Sequence, residues 1–228
     1  MSESLSQHLI DQLQSFDSPT VSNAIEALAV RDRTQGYASM ELCCQFPELK
    51  PMVGYAVTCA ADSTSPATQQ RNKWGELFDL ISRGPKPVVV VIQNRGPDRL
   101  RSCFVGDMSA VAYQKLGAVG LVTDGGFRDL SGIRRGAPGF QLFSPGAVVS
   151  HGNAAIIEVG IPVSLAGLTI QPGDLLHGDE SGLLTVPVGV VEAIVVKAAL
   201  VRKTEKEWFD YAQSDSFKIE GMKKRLVR

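Results

Sequence analysis

The period of the hydrophobic pattern changes several times along the chain. Leu5, Leu9, Ile10 and Leu13 recur at helical spacing; Asp17-Ser18-Pro19-Thr20 then interrupts that stripe and opens a second helix through Val21, Ala24, Ile25 and Leu28. Residues 51–60, PMVGYAVTCA, are almost continuously apolar and read as a strand, and the polar stretch ADSTSPATQQ after Ala60 reads as a loop. Trp74, Leu77, Phe78 and Ile81 mark a helix face that ends at Gly84-Pro85. Val88 to Ile92 is an unbroken β-branched run and predicts the strongest strand of the chain. Its end delivers Asn94, Arg95 and Gly96 to a loop that runs to Gly106.

Met108, Val111, Ala112 and Leu116 return to helical spacing, Gly117 stops them, and Ala118 to Thr123 has the uninterrupted apolar character of a buried parallel strand. Gly132 to Gly139 is turn-rich. Phe140 to Phe143 and Ala154 to Val159 read as short strands, and IPVSLAGLTI, PGDLL and SGLLTVP extend a β region punctuated by Pro172-Gly173-Asp174 and Gly178 to Gly182. A last helix runs from about Val188 past Trp208, with Val191, Ile194, Val195, Ala198 and Val201 on one face. These patterns predict one α/β domain over 1–228, with N-terminal helices over about 1–30 and a C-terminal helix and basic tail over about 188–228.

Composition narrows the class. Hydrophobic residues at 44% and charged residues at 21% of 228 are ordinary for a soluble globular protein, and a net charge of −1 gives no global attraction to nucleic acid. The N-terminus lacks a basic region followed by an apolar core, and no apolar run is long enough to span a bilayer, so a cytoplasmic protein without membrane partners is expected. Cys43, Cys44, Cys59 and Cys103 form neither a CxxC motif nor a disulfide framework and read as reduced.

The candidate chemistry lies in GDMSAVAYQKLGAVGLVTDGGFRD, from Gly106 to Asp129. Asp107 precedes a helix whose free amides favour an anion, and Arg128 and Asp129 follow a strand's carboxyl end, where open α/β sheets hold ligands. A guanidinium suits a carboxylate or carbonyl oxygen, and carboxylates are hard ligands for a water-rich Mg²⁺ or Mn²⁺. The residues by themselves also fit a charged surface turn with Asp107 as a plain helix cap. Arg95, Arg99 and Arg101 read either as an anion-holding loop or as a solvated one. His151 and His177 lack metal-ligand spacing and read as structural or surface. No glycine-rich loop of the G-x-G kind follows an early strand, which speaks against a methyltransferase.

Asp107, twenty intervening residues, and Arg128-Asp129 resemble the signature of the family that joins the regulator of ribonuclease activity A to the 4-hydroxy-4-methyl-2-oxoglutarate aldolases. The resemblance continues through SPGAVVSHGN and IPVSLAGLTIQPGDLLHGDESGLLTVP and covers roughly Ser18 to Glu207; within it His151 stands where many members have another polar or basic residue, which leaves a substrate-facing role open for it. It implies the layered β/β/α swivelling-domain fold, assembled as a homotrimer or homohexamer.

It also implies a divalent-metal-dependent lyase that cleaves a 4-hydroxy-2-oxo acid to pyruvate, with oxaloacetate decarboxylation as a second activity. In that scheme Mg²⁺ or Mn²⁺ has Asp129 as its direct ligand. Asp107 and an acid of a neighbouring subunit, Glu205 or Glu207, act through water. Arg128 stabilises the keto oxygen as it becomes an enolate, the backbone N–H groups of Gly106, Asp107, Met108 and Ser109 receive the substrate carboxylate, and Asp107 positions the water that takes the C4 hydroxyl proton. The alternative within the same family is a non-catalytic regulator that binds and inhibits a ribonuclease or another protein, for which the basic tail MKKRLVR offers a contact surface.

Overall fold

A computed structural model describes residues 4–66 and 72–226. In chain order it contains α1 (Gln7–Gln14), α2 (Ser18–Ala27), β1 (Cys43–Cys44), β2 (Met52–Asp62), α3 (Trp74–Arg83), β3 (Val88–Asn94), β4 (Cys103–Val105), α4 (Asp107–Lys115), β5 (Ala118–Thr123), β6 (Gly126–Phe127), α5 (Leu130–Gly136), β7 (Gln141–Ser144), β8 (Ala155–Val159), β9 (Val163–Leu165), β10 (Leu168–Ile170), β11 (Leu175–Asp179), β12 (Gly182–Val186), α6 (Val191–Ala212) and α7 (Ile219–Leu226). The main sheet has the order β1-β7-β5-β3-β2-β11-β12, with β8 also pairing β2. β2, β3, β5 and β7 run parallel to one another, whereas β1, β8, β11 and β12 pair antiparallel.

Alternation along the strands sorts the core into layers. On β2, Val53 and Tyr55 pack with α1, α2 and α6, while Val57, Cys59 and Ala61 pack with α3, α4 and α5. Met52 and Ala56, with the opposite parity, meet the β9–β10 hairpin. The same split recurs on β3, where Val88, Val90 and Ile92 face the helices and Val89 and Val91 face the hairpin. Helices therefore cover one side of the sheet and a β-hairpin the other, which is the expected β/β/α layering.

The helix starts follow from their first residues. Asp17 caps α2 by accepting from Thr20 N at 2.8 Å, Pro19 sits in its first turn, and Asp179 Oδ2 accepts from Ser18 N at 2.6 Å. His177, fully buried on β11, completes this joint. Its Nε2 lies 3.2 and 3.1 Å from the carbonyls of Leu13 and Phe16, so that nitrogen carries the hydrogen, and Ser18 Oγ donates to Nδ1 at 2.9 Å.

Three expectations are corrected. The turn-rich segment after Asp129 is helical as α5, because Ile133 buries completely and anchors a sequence that its two glycines would otherwise loosen. The loop from Gly96 to Gly106 contains a 3₁₀ turn over Arg99–Arg101 and then β4. The polar loop expected from Ala61 begins later, since Ala61 and Asp62 complete β2, and part of it falls outside the described residues. All four cysteines are free. Among the described residues no helix is long and apolar enough to cross a membrane.

Candidate active site

The site rests on a two-stranded parallel sheet separate from the main one. β4 pairs with β6 in the register Cys103↔Gly126 and Val105↔Phe127, and Arg128 N donates to Val105 O at 3.0 Å. Parallel strands point their carboxyl ends the same way, so Gly106 and Asp107 emerge beside Arg128 and Asp129. The intervening residues form α4 and β5, one helix and one strand that return the chain to the same edge.

A pocket of about 180 Å³ opens there, lined by Gly106, Asp107, Met108, Ser109, Arg128 and Asp129, with Trp74, Cys103 and His151 on its walls. Every residue expected at the site within one chain is thus brought together. Glu205 and Glu207 are not: both lie on α6, neither lines the pocket, and Glu205 Oε1 accepts from Asn23 Nδ2 at 3.4 Å.

Asp129 occupies the N-cap of α5 at φ 59° and ψ 38°, a left-handed conformation uncommon outside glycine, yet its carboxylate makes no capping bond. It turns to the pocket, where Oδ2 lies 3.2 Å from Arg128 Nε. Backbone strain combined with an acid withheld from its usual local partner is characteristic of functional positions. The remaining guanidinium N–H groups of Arg128 make no hydrogen bond among the described residues, which leaves a planar fork of donors for a ligand.

Of the four amides expected to receive a carboxylate, two are already engaged. Gly106 N donates to Ser109 Oγ at 3.0 Å, and Met108 N donates to Asp107 Oδ1 at 2.8 Å. The N–H groups of Asp107 and Ser109 remain, since first-turn amides have no intrahelical acceptor.

Close approach explains two glycines. A Cβ on Gly106 would meet Asp129 Oδ2 at 3.0 Å, and one on Gly132, in α5, would meet Asp107 Oδ2 at 2.6 Å. The two carboxylates that border the pocket are therefore seated against glycine backbone.

Among the described residues no group of three or more His, Cys, Asp or Glu side chains is placed to hold a metal ion. Two carboxylates beside open space suit a hard, water-rich cation such as Mg²⁺ or Mn²⁺ and do not suit a closed zinc-type cage. Among the described residues no lysine lines the pocket, and burial pushes the Cys103 thiol up, so neither a Schiff base nor a thiolate nucleophile is on offer from them. Arg99 is bound to Asp124 O at 3.1 Å and to Glu41 at 3.6 Å, and Arg101 lines a neighbouring cavity of about 500 Å³; neither lines the Arg128 pocket.

The sequence leaves a substrate-facing role open for His151, and the structure sets it on the pocket wall through a tertiary contact. Its loop is tied to the end of β2 by Asn153 N→Ser63 O at 2.8 Å, a contact between distant segments that no local pattern announces.

Known proteins resemble this chain in both sequence and fold. It is 25% identical over 201 residues to Protein DlpA of Legionella pneumophila, covering 87% of this chain and 31% of that protein. It is 33% identical over 111 residues to a protein of Halalkalibacterium halodurans named as a candidate 4-hydroxy-4-methyl-2-oxoglutarate aldolase, covering 48% of this chain and 51% of that one. The chain thus spans about half or less of the length of these two curated relatives. The fold matches that of Streptomyces coelicolor RraAS2, a member of the RNase ES inhibitor RraA protein family. The TM-score is 0.70 at 22% identity, with 92% of this chain and 99% of that one covered. The model of the RraA-like family, described as Aldolase/RraA, matches residues 18–185, and the chain belongs to that family.

Proposed function

We propose that this protein is a lyase that cleaves a 4-hydroxy-2-oxo acid by a retro-aldol reaction to give pyruvate, and that it also decarboxylates oxaloacetate. The observation that carries this reading is the convergence of Asp107, Arg128 and Asp129 on one pocket at the carboxyl ends of β4 and β6. The relative named as a candidate 4-hydroxy-4-methyl-2-oxoglutarate aldolase supports it.

In this reading Asp129 would hold Mg²⁺ or Mn²⁺ directly and Asp107 through water, joined by Glu205 or Glu207 from a neighbouring copy in a homotrimer or homohexamer. A bound cation would supply positive charge beside the substrate's carboxylate and keto group. The free fork of Arg128 hydrogen-bonds the keto oxygen and stabilises the charge that develops there as C3–C4 breaks. The Asp107 and Ser109 amides, at the positive end of α4, bind the carboxylate. Asp107 positions a water that takes the C4 hydroxyl proton.

The test measures pyruvate release from oxaloacetate and from 4-hydroxy-4-methyl-2-oxoglutarate, with Mg²⁺ or Mn²⁺ and after chelation. Release that needs the cation and disappears in Arg128→Ala supports the lyase. No release from either compound sinks the reading and turns the search to a ribonuclease or other protein partner.

A further inference from the structure

The lyase reading assigns no side chain to one proton transfer. Breaking C3–C4, or losing carbon dioxide from oxaloacetate, leaves an electron pair shared between C3 and the keto oxygen, and pyruvate forms only when C3 gains a proton. Arg128 does not release protons in proteins, and an ionised carboxylate at Asp107 or Asp129 is acceptor-only. The Cys103 thiol, raised by burial, directs its hydrogen to Val105 O at 3.7 Å. Among the described residues His151 is the remaining titratable side chain on the pocket wall.

Its geometry fixes which nitrogen would work. Nδ1 lies 2.7 Å from Gly152 O, and because a carbonyl only accepts, Nδ1 carries a hydrogen whether the ring is neutral or charged. Nε2 is therefore the atom that exchanges its proton, and it makes no hydrogen bond among the described residues. The carbonyl that sets this tautomer is itself held. Gly152 takes φ +54°, its N donates to Ser150 Oγ at 3.1 Å, and Asn153 N and Nδ2 donate to Ser63 O and Ser65 O at 2.8 and 2.9 Å. A Cβ on Gly152 would sit 2.1 Å from Ser63 O, so the loop packs backbone to backbone against the end of β2. His151 is exposed, so solvent can reprotonate it.

We propose that His151 is the general acid that protonates C3, an assignment that rests on the lyase reading. The Nε2–H bond of the imidazolium breaks and its proton goes to C3. The new C3–H bond takes the electron pair of C2=C3, the C2=O bond re-forms, and the neutral imidazole regains a proton from water. The step is common to aldol cleavage and decarboxylation.

Run backwards, it exchanges the methyl protons of pyruvate, so it is measured without any C–C cleavage. The wild-type protein, His151→Gln, His151→Ala and the remote control His8→Gln are incubated with pyruvate and Mg²⁺ in D₂O, and loss of the methyl signal is followed by NMR. Oxaloacetate consumption and oxalate binding are measured on the same samples. General acid catalysis is worth about 10²- to 10⁴-fold, so His151→Gln is expected to slow exchange by at least about 100-fold. Oxaloacetate consumption falls less, oxalate binding holds, and added imidazole restores exchange in His151→Ala. Exchange in His151→Gln within about threefold of wild type overturns the assignment. Equal losses of exchange, consumption and oxalate binding also overturn it, in favour of a positioning role. A wild-type protein that cleaves oxaloacetate but exchanges no methyl protons removes the C3 step and leaves the lyase standing. One that does neither removes both.

Discussion

Val105 and Phe127 are register partners in the parallel pair β4–β6. Directly beyond them Gly106 lies against Arg128 and Asp129, where a Cβ would meet Asp129 Oδ2 at 3.0 Å and Arg128 Cγ at 3.5 Å. The spacing of the signature is therefore the contour of one helix of 9 residues and one strand of 6 with their turns. Nothing in that spacing is chemical in itself; it is what α4 and β5 need to bring the chain back.

Gly106 is where this return is tightest. Its φ of −132° and ψ of −173° are open to any residue, so Gly106→Ala adds no backbone strain, yet its Cβ would press on Asp129 Oδ2 at 3.0 Å and Arg128 Nε at 3.5 Å. We expect thermal stability within about 0.5 kcal/mol of wild type and pyruvate release lowered by about tenfold, the scale of a small displacement of a catalytic pair. Unchanged kinetics in a variant with an unchanged melting point would separate Asp129 from the chemistry.

Gly132→Ala tests the other carboxylate and sets helix propensity against site geometry. Alanine inside α5 is favoured over glycine by about 1 kcal/mol, but the added methyl would meet Asp107 Oδ2 at 2.6 Å and Asp107 Cβ at 2.8 Å. Because Cβ is not the free end of a side chain, Asp107 moves as a whole. The expected outcome is a melting point equal to or above wild type together with a lower kcat, read by calorimetry and a pyruvate assay on one preparation.

Much of the scaffold was legible because single elements carry strong patterns. β3 is a run of fully buried β-branched residues, and α2 announces itself with Asp17 and Pro19. α5 was hidden because Gly132 and Gly136 weaken its helical signal, and β4 because three residues between a basic turn and a glycine carry no period. Within the site, Asp107, Arg128 and Asp129 were visible through spacing and resemblance. The left-handed backbone of Asp129 and the fixed tautomer of His151 depend on contacts between distant segments.

Arg128 offers the sharpest chemical test. Its Nε is held by Asp129 while the rest of the guanidinium is free, an arrangement that a lysine ammonium cannot copy. Arg128→Lys keeps the positive charge and loses the fork, so kcat should fall by about 10²- to 10³-fold, the scale for loss of one preorganised donor to a developing oxyanion. Because the side chain is partly exposed, circular dichroism should be unchanged. Near-wild-type turnover in Arg128→Lys would reduce the residue's role to simple charge.

His177 makes a prediction about stability that is independent of the reaction. Burial is the largest influence on the ring and holds its pKa below the ordinary 6.5, and its neutral tautomer bridges Ser18 to the carbonyls of Leu13 and Phe16. Well above pH 6.5 neither the folded nor the unfolded chain protonates this imidazole, so it adds no pH dependence there. Below that value the unfolded chain takes up a proton that the folded chain refuses. Stability is therefore lost as pH falls from the unfolded value toward the depressed folded one, by at most about 1.4 kcal/mol per pH unit. His177→Gln can still donate to a carbonyl and accept from Ser18. It should be less stable at pH 7.5 by about 1–3 kcal/mol through imperfect replacement of a buried network. The informative quantity is the difference between wild type and variant as a function of pH, because carboxylate contributions common to both cancel. That difference should shrink between pH 7 and 5. A constant difference across the range would mean that the buried ring titrates as it does in the unfolded chain, and the neutral bridge between α1, α2 and β11 would have to be given up.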